Sequence, residues 1–499
     1  MKPSVYNVVV EIKKYNQFLL FNTFSGTLLE AENDVGHLLK TFADAKSIPT
    51  TEMEKLGSER LQMLIDGGFL VNDMTDEVAK VKKLDLARFP MIRASYQNSL
   101  SLTLLPSIRC NFDCFYCFEP AFLRNAPARE SSYMSAEIQN KICKYVEKTL
   151  DKPALQYIKT TWYGGEPLLY PEIVAHLQSR INQIAVERGK ETSSSIVTNG
   201  FCLTTDMSDM LVENGIDKAQ ITLDGPAAIH NKRRRLYRGD KDTNFETIMK
   251  NIKDANPNLK INIRVNVGRH NQQAIYDLLD ELIEHGVWPR DQVSIYLASL
   301  TGGKDVLKRR EYLAVNDAFR VHLVKKYNDF SKHPKAKLKF DLPSGQNLPV
   351  CGHIMDEDLT WLVDCVGDVY RCWDTPGQQQ YRVGTIDDLL KNKIKDLKEW
   401  ILNEEIREET GCYKCRMSPV CTIACPVHYF MARESGKYQA GEYYDKNEDG
   451  NPFCSNWKFG IEQTLATQYE FYREFPELVY NFPPKQNNNI SGLLQITEE

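Results

Sequence analysis

Ser101-Leu102-Thr103-Leu104-Leu105-Pro106-Ser107-Ile108-Arg109-Cys110-Asn111-Phe112-Asp113-Cys114-Phe115-Tyr116-Cys117 is the stretch on which the fold turns. A strand-like run, Leu102–Leu105, leads directly into a C-x3-C-x2-C loop. Three thiolates set close together can hold a four-iron cluster and leave one iron without a protein ligand. An amine and a carboxylate of one small molecule can chelate that open iron. A three-cysteine zinc site would need a fourth ligand, and no histidine lies nearby.

Outward from this strand the chain keeps a regular rhythm. Strand-like runs follow at Tyr157–Trp162, Ser195–Thr198, Ala219–Leu223, Ile261–Val267 and Val293–Leu297. Helix-like stretches at 135–149, 171–188, 205–214, 244–254 and 271–285 separate most of them. Strands alternating with helices predict βα units and a parallel sheet. An open doubly wound sheet and a barrel both fit. Six units are too few for a closed eight-unit barrel, so an incomplete barrel is the third option. In each case the chemistry belongs at the C-terminal ends of the strands.

The whole chain has 499 residues, 42% hydrophobic and 26% charged, with a formal net charge of −5. That is a soluble globular composition of two to four domains, without the positive excess of a dedicated nucleic-acid binder. No apolar run is long enough to span a bilayer, and the N-terminus has no secretory pattern. The thirteen cysteines are an odd number and fall in two clusters, which reads as metal or iron–sulfur ligation in a reducing compartment.

Residues 1–88 begin with alternating Val8, Val10 and Ile12 and a hairpin turn at Ser25-Gly26. Helical stretches follow near 32–43 and 52–67, which predicts a winged-helix-like module. Residues 1–80 hold eight Lys/Arg against twelve Asp/Glu, which opposes phosphate binding. A small sheet edge can instead capture a peptide strand. A plain structural cap is the alternative. Residues 81–94 read as a mixed linker.

The cysteine loop resembles that of the radical S-adenosylmethionine (SAM) superfamily. The resemblance implies a partial βα barrel, SAM bound at the open iron, and reductive cleavage to a 5′-deoxyadenosyl radical. The expected fold is therefore α/β: a partial (β/α)6 TIM-like barrel, with the winged-helix-like module before it and an iron–sulfur domain after it. Further motifs match the family in order, each after its own strand. Gly164-Gly165-Glu166-Pro167 follows the second strand, Ser195 to Asn199 ends the third, and Asp224-Gly225-Pro226 with His230 ends the fourth. The resemblance implies SAM contacts at Gly164, Gly165, Glu166, Pro167, Ser195, Asn199 and Arg234. The stretch Lys232–Lys241 holds six basic residues against one Asp. It reads either as a solvated loop or as a contact for SAM or an acidic peptide.

Further on, C-x15-G-x4-C from Cys351 to Cys372, then C-x2-C-x5-C-x3-C from Cys412 to Cys425, then Cys454, resembles the seven-cysteine SPASM domain. A zinc ribbon explains single C-x2-C pairs but not the whole order. The resemblance implies an outer auxiliary cluster on Cys412, Cys415, Cys421 and Cys454. It implies an inner one on Cys351, Cys372 and Cys425, with Cys365 as the local candidate for a fourth ligand. That gives three [4Fe–4S] clusters, the first on Cys110, Cys114 and Cys117. Cys143 and Cys202 remain as buried small hydrophobes. The expected boundaries are 1–88 for the recognition module, 95–300 for the barrel, 301–345 for a bridging segment, 346–460 for the cluster domain, and 461–499 for a helix and tail.

Such enzymes mostly modify peptides or proteins. The expected activity is removal of a hydrogen atom from a ribosomally made precursor peptide, followed by a thioether or carbon–carbon crosslink. The expected partners are a precursor with a leader sequence and an electron donor such as flavodoxin or ferredoxin, with no nucleic acid and no membrane. Asp374, two residues after Cys372, is a candidate general base, although Asp in such loops also caps turns. An anaerobic sulfatase-maturating, formylglycine-forming enzyme is the alternative. A metal-stabilised peptide-binding protein without turnover is the more remote one. The cluster chemistry implies a reducing, low-oxygen cytoplasm.

Overall fold

The structure, a computed structural model, describes residues 1–117, 133–237, 243–300, 305–330, 336–343, 359–395, 404–421, 427, 429 and 454–482. The chain divides into two units. One joins Met1–Arg93, Lys308–Cys351 and Trp400–Glu499; the other joins Ala94–Leu307 and Gly352–Glu399.

The second unit is built on a nine-stranded sheet. Its first six strands in the chain are Ser99–Leu104, Tyr157–Trp162, Glu191–Thr198, Ile216–Thr222, Lys260–Val267 and Val293–Ser299. They lie side by side in chain order and pair in parallel. A doubly wound sheet reverses direction at a switch point. These six strands do not, so of the three architectures left open they match the singly wound partial barrel. The helices Ala136–Leu150, Pro171–Glu187, Thr205–Glu213, Asn244–Asp254 and Ala274–Glu284 connect the strands. Ser135 and Thr204 start two of them by accepting from the backbone N–H groups of Ile138 and Met207. Ile158, Ile196, Ile221, Ile263 and Val265 are fully buried along the strands, each contributing about 1.5–3 kcal/mol.

The cysteine-rich region adds a seventh parallel strand that the pattern did not predict. Thr360–Val363 pairs with the first strand, Thr360 opposite Ser101. An antiparallel hairpin then runs through Asp368–Tyr370 to Gly384–Thr385.

In the first unit, Asn7–Ile12, Gln17–Asn22 and Leu28–Ala31 form a three-stranded antiparallel sheet. One set of its side chains, Phe18 and Leu20, packs with Val35, Leu38, Leu39, Leu64 and Phe69. Val8, Val10 and Ile12, two residues apart, share one face of their strand. They pack with Ile461, Leu465 and Tyr469 of the helix Trp457–Glu474. That helix also lies against Arg309–Phe330. The stretch 81–94, expected as a linker, instead belongs to one continuous helix, Glu77–Tyr96. Val81, Leu84 and Phe89 are buried on it, and this apolar spacing is what the linker reading overlooked. No helix among the described residues is long and apolar enough to cross a membrane.

Candidate active site and cysteine loops

The first cysteine loop grows out of the first strand and is zipped to the basic stretch. Phe112–Cys114 pairs antiparallel with Arg234–Leu236, Cys114 opposite Arg234. Cys117 N donates to the Cys114 carbonyl at 3.2 Å, closing a turn that gathers the second and third cysteines.

The two glycines of the second motif serve this loop. A Cβ on Gly165 would stand 2.2 Å from the Arg109 carbonyl oxygen, and one on Gly164 2.4 Å from that of Ser107. Glu166 N donates to the Arg109 carbonyl at 2.8 Å. Only glycine admits the chain so close.

Glu166 is one of the residues for which the resemblance implies a SAM contact. In the structure it is fully buried, and both oxygens are taken by protein donors. Thr198 Oγ1 donates to Oε1 at 2.7 Å, Leu168 N to Oε1 at 3.0 Å, and Asn199 N to Oε2 at 2.7 Å. Burial pushes its carboxyl above the usual range, and these donors pull it partly back. Glu166 therefore clamps the second motif to the third. Asn199 in turn donates to Asn111 Oδ1 at 2.7 Å and reaches Cys110 Sγ at 3.9 Å. Ser195 is half-buried, 3.3 Å from Thr161 Oγ1. Pro167 is buried at the start of a short turn.

Between the cysteines, Tyr116 anchors a buried polar network at the ends of the fourth and fifth strands. Its hydroxyl donates to Asp224 Oδ2 at 2.5 Å and accepts from Arg234 Nη1 at 2.7 Å and Asn266 Nδ2 at 3.1 Å. Burial, with Asp224 and Cys114 adding to it, keeps this phenol protonated well above its usual range. Asn271 Nδ2 donates to the Asp224 carbonyl at 2.6 Å. Arg233 pairs with Asp305 at 2.6 Å and Arg235 with Asp113 at 2.6 Å. Arg233, Arg234 and Arg235 thus each have a separate partner, and the first two are buried. His230 is buried and held neutral, first by burial and then by Arg234.

Tyr116, Asn266, Asn271 and Asp305 were not singled out from the sequence. Asn266 was within reach: it stands at the C-terminal end of the fifth strand, where no residue was read.

Cys365 sits in the turn of the hairpin and is buried. The register, Val363 opposite Val369 and Leu362 opposite Tyr370, carries Cys372 beyond the other end. For Cys365 to complete a cluster with Cys372, the chain would have to fold back from the open end toward the turn. Cys351 and Cys425 lie outside the described residues. The Trp373 ring packs, tilted by 42°, with its centroid 5.4 Å from that of Tyr163, the residue before the glycine motif. Asp374 is exposed, with its backbone N–H 3.5 Å from Cys372 Sγ.

In the first unit, Cys412 lies within electrostatic reach of Cys421 and Cys454, and Cys454 within reach of Cys415 and Cys421. Thr410 Oγ1 donates to Cys412 Sγ at 3.0 Å and Met417 N to Cys415 Sγ at 3.4 Å. Burial pushes the Cys412 thiol up to about 12 and that of Cys454 to about 11.

Among the described residues, no three Cys, His, Asp or Glu side chains converge tightly enough for a single metal ion. A four-iron cluster spreads its thiolates over separate irons. The all-sulfur donor sets of both loops fit such a cluster.

Residues 104–282 match the Radical SAM superfamily. TigE of Paramaledivibacter caminithermalis, named a radical SAM cyclopropyl synthase, is 21% identical over 255 residues. The match covers 48% of this chain and 51% of TigE, so the chain spans about half the length of that curated relative. The solved structure of native anSMEcpe with bound AdoMet and Cp18Cys peptide aligns at TM-score 0.51 and 19% identity, over 76% of this chain and 98% of that one. SuiB of Streptococcus suis, bound to S-adenosylmethionine, aligns at 0.46 and 16% identity, over 89% of this chain and 98% of its own. With the three-cysteine loop at the end of the first strand and the glycine motif packed against it, residues 104–282 carry a Radical SAM domain, of a superfamily of enzymes that use SAM and a [4Fe–4S] cluster.

Proposed function

We propose that this chain is a radical SAM maturase of a ribosomally made precursor peptide, forming an intramolecular thioether or carbon–carbon crosslink. The observation that carries the peptide reading is a groove of about 940 Å³ in the N-terminal module. It runs beside Leu29, on the edge strand Leu28–Ala31, and beside Thr27 just before that strand. The helix Ser58–Asp66 contributes Gln62 and Met63 to its lining. An open strand edge beside an apolar and polar groove suits an extended leader segment bound by strand addition.

Cys110, Cys114 and Cys117 would hold the first cluster. Bound there with SAM, it supplies a carbon-centred radical that takes a hydrogen atom. The chain's own residues do the positioning. Gly164 and Gly165 let the loop seat against the second motif, Glu166 ties that motif to Asn199, and Tyr116 with Arg234 fixes the loop between its cysteines. Ser195 is half-buried, as are Gly164 and Gly165. Holding the leader in a separate groove raises the effective concentration of the core residue at the reacting centre. Cys412, Cys415, Cys421 and Cys454 would hold the outer auxiliary cluster, and a flavodoxin or ferredoxin would supply electrons. The relative named a cyclopropyl synthase keeps bond formation at carbon among the outcomes.

The test is anaerobic reconstitution with iron and sulfide quantitation, then SAM and a reductant, with 5′-deoxyadenosine read by mass spectrometry. Adding a candidate precursor should give a product lighter by two hydrogens. SAM cleavage that no peptide stimulates, together with no peptide binding to the N-terminal groove, would sink the maturase reading.

A further inference from the structure

Among the described residues, the second cysteine loop packs against two buried guanidiniums that share one carboxylate, Asp85. Arg407 and Asp85 are each 0% exposed and Arg88 is 3% exposed. Arg407 Nε pairs with Asp85 Oδ2 at 2.8 Å, and Arg88 Nη2 pairs with Asp85 Oδ1 at 2.5 Å. Arg407 Nη2 donates to the Ser418 carbonyl at 3.0 Å and to Ser418 Oγ at 2.6 Å, and Nη1 donates to the Cys421 carbonyl. Arg88 Nη1 donates to the Pro419 carbonyl at 2.6 Å. Cys421 is within electrostatic reach of both guanidiniums, and Cys412 of Arg407. At the fourth cysteine, Arg309 Nη1 donates to the Cys454 carbonyl at 2.5 Å, and Lys458 is within reach of its sulfur.

Burying two guanidiniums against one carboxylate is unfavourable unless further negative charge is near, because each desolvated ion costs several kcal/mol. Four thiolates on a four-iron cluster supply that charge, and the cluster gains one more negative charge when reduced. Nearby cations favour the more negative state. So do hydrogen bonds to sulfur, and Thr410 and the Met417 amide each provide one.

We infer that Arg407 and Arg88, with Arg309 and Lys458 beside Cys454, form an electropositive cradle that raises the reduction potential of the outer cluster. The consequence is directional: such a cluster takes up one electron more readily than it gives one. Arg407 is a positioning residue here, acting through the loop and through its charge. The inference rests on the reading of Cys412, Cys415, Cys421 and Cys454 as ligands of one cluster.

The test is a spectroscopic redox titration of the reconstituted full chain. The outer-cluster signal is assigned by difference from a Cys412→Ala/Cys415→Ala variant. Arg407→Gln with full iron content should lower the outer midpoint by at least a tenfold change in the one-electron equilibrium, about 59 mV. Arg407→Lys should restore most of the shift, and Arg309→Gln should give a smaller drop. A loop clamp without an electrostatic role changes iron content but not the potential of the cluster that remains. Should Arg407→Gln fail to hold iron, Arg309→Gln and Lys458→Gln carry the same criterion. Full iron at the wild-type potential in these charge-removing variants overturns the inference. If the double cysteine variant loses no iron, the outer-cluster reading itself falls, and the inference with it.

Discussion

The loop holding Cys110, Cys114 and Cys117 is fastened by neighbours in its own sheet: the glycine motif after the second strand, Asn199 after the third, Asp224 after the fourth and Asn266 after the fifth. The loop from Cys412 to Cys421 is fastened differently. It is tied to Arg407 and to Arg88 of the helix Glu77–Tyr96, both paired with Asp85, and Arg88 bonds a residue 331 positions away. The first loop takes shape as successive βα units add to one sheet. The second cannot be held until distant segments of the first unit have met. Local assembly ties the first site to its own sheet, whereas the second depends on a buried network in which, among the described residues, Arg407 and Arg88 share one carboxylate.

That contrast can be broken in several ways. Cys114→Ala should abolish SAM cleavage and remove about four irons per chain, while the iron on the outer loop stays; loss of all iron would erase the distinction between the sites. Asp85→Ala leaves two guanidiniums buried without their carboxylate. It should cost about 3–5 kcal/mol in denaturant unfolding of the first unit and release outer-loop iron, with substrate-free SAM cleavage kept. A parallel loss of SAM cleavage would show that the two loops are not independent. Gly165→Ala drives a methyl to 2.2 Å from the Arg109 carbonyl oxygen. It should cost about 1–3 kcal/mol and cut SAM cleavage at least about tenfold, leaving the outer iron in place.

The smallest expected effect sharpens the picture of the first unit. Asp317 is buried and accepts from Thr464 at 2.6 Å, and burial raises its carboxyl above the ordinary value. The folded state therefore holds this proton more tightly than the unfolded one. The stabilisation is complete below the ordinary Asp value and is lost as pH rises through the raised one. Asp317→Asn should flatten that slope and change stability at neutral pH by less than about 1 kcal/mol in thermal melts. An unchanged pH slope would remove Asp317 as its source.

Much of this was legible because it is local. The six barrel strands follow from short apolar runs alternating with amphipathic stretches. The cysteine loop and the glycine motif follow from residue types that few other chemistries require in that order. Helix Glu77–Tyr96 was less legible. Its mixed Lys, Asp and Arg content reads as a linker, because the reason for Asp85 and Arg88 being there lies in a loop far along the chain. Cys365 was hard to place for a related reason: spacing counts residues along the chain, but a hairpin turn decides which end of a strand pair each one occupies.

The sequence by itself determined the parallel βα core, the three-cysteine loop at the end of its first strand, and the grouping of the later cysteines, since periodicity and ligand spacing are properties of neighbours. Only the tertiary structure decided that Thr360–Val363 joins the barrel sheet, that Glu166 is spent on Thr198 and Asn199, and that two arginines and one aspartate close around the second loop. Hydrogen bonds and ion pairs between distant residues leave no period in the chain, so they appear only once the packing has brought their partners together.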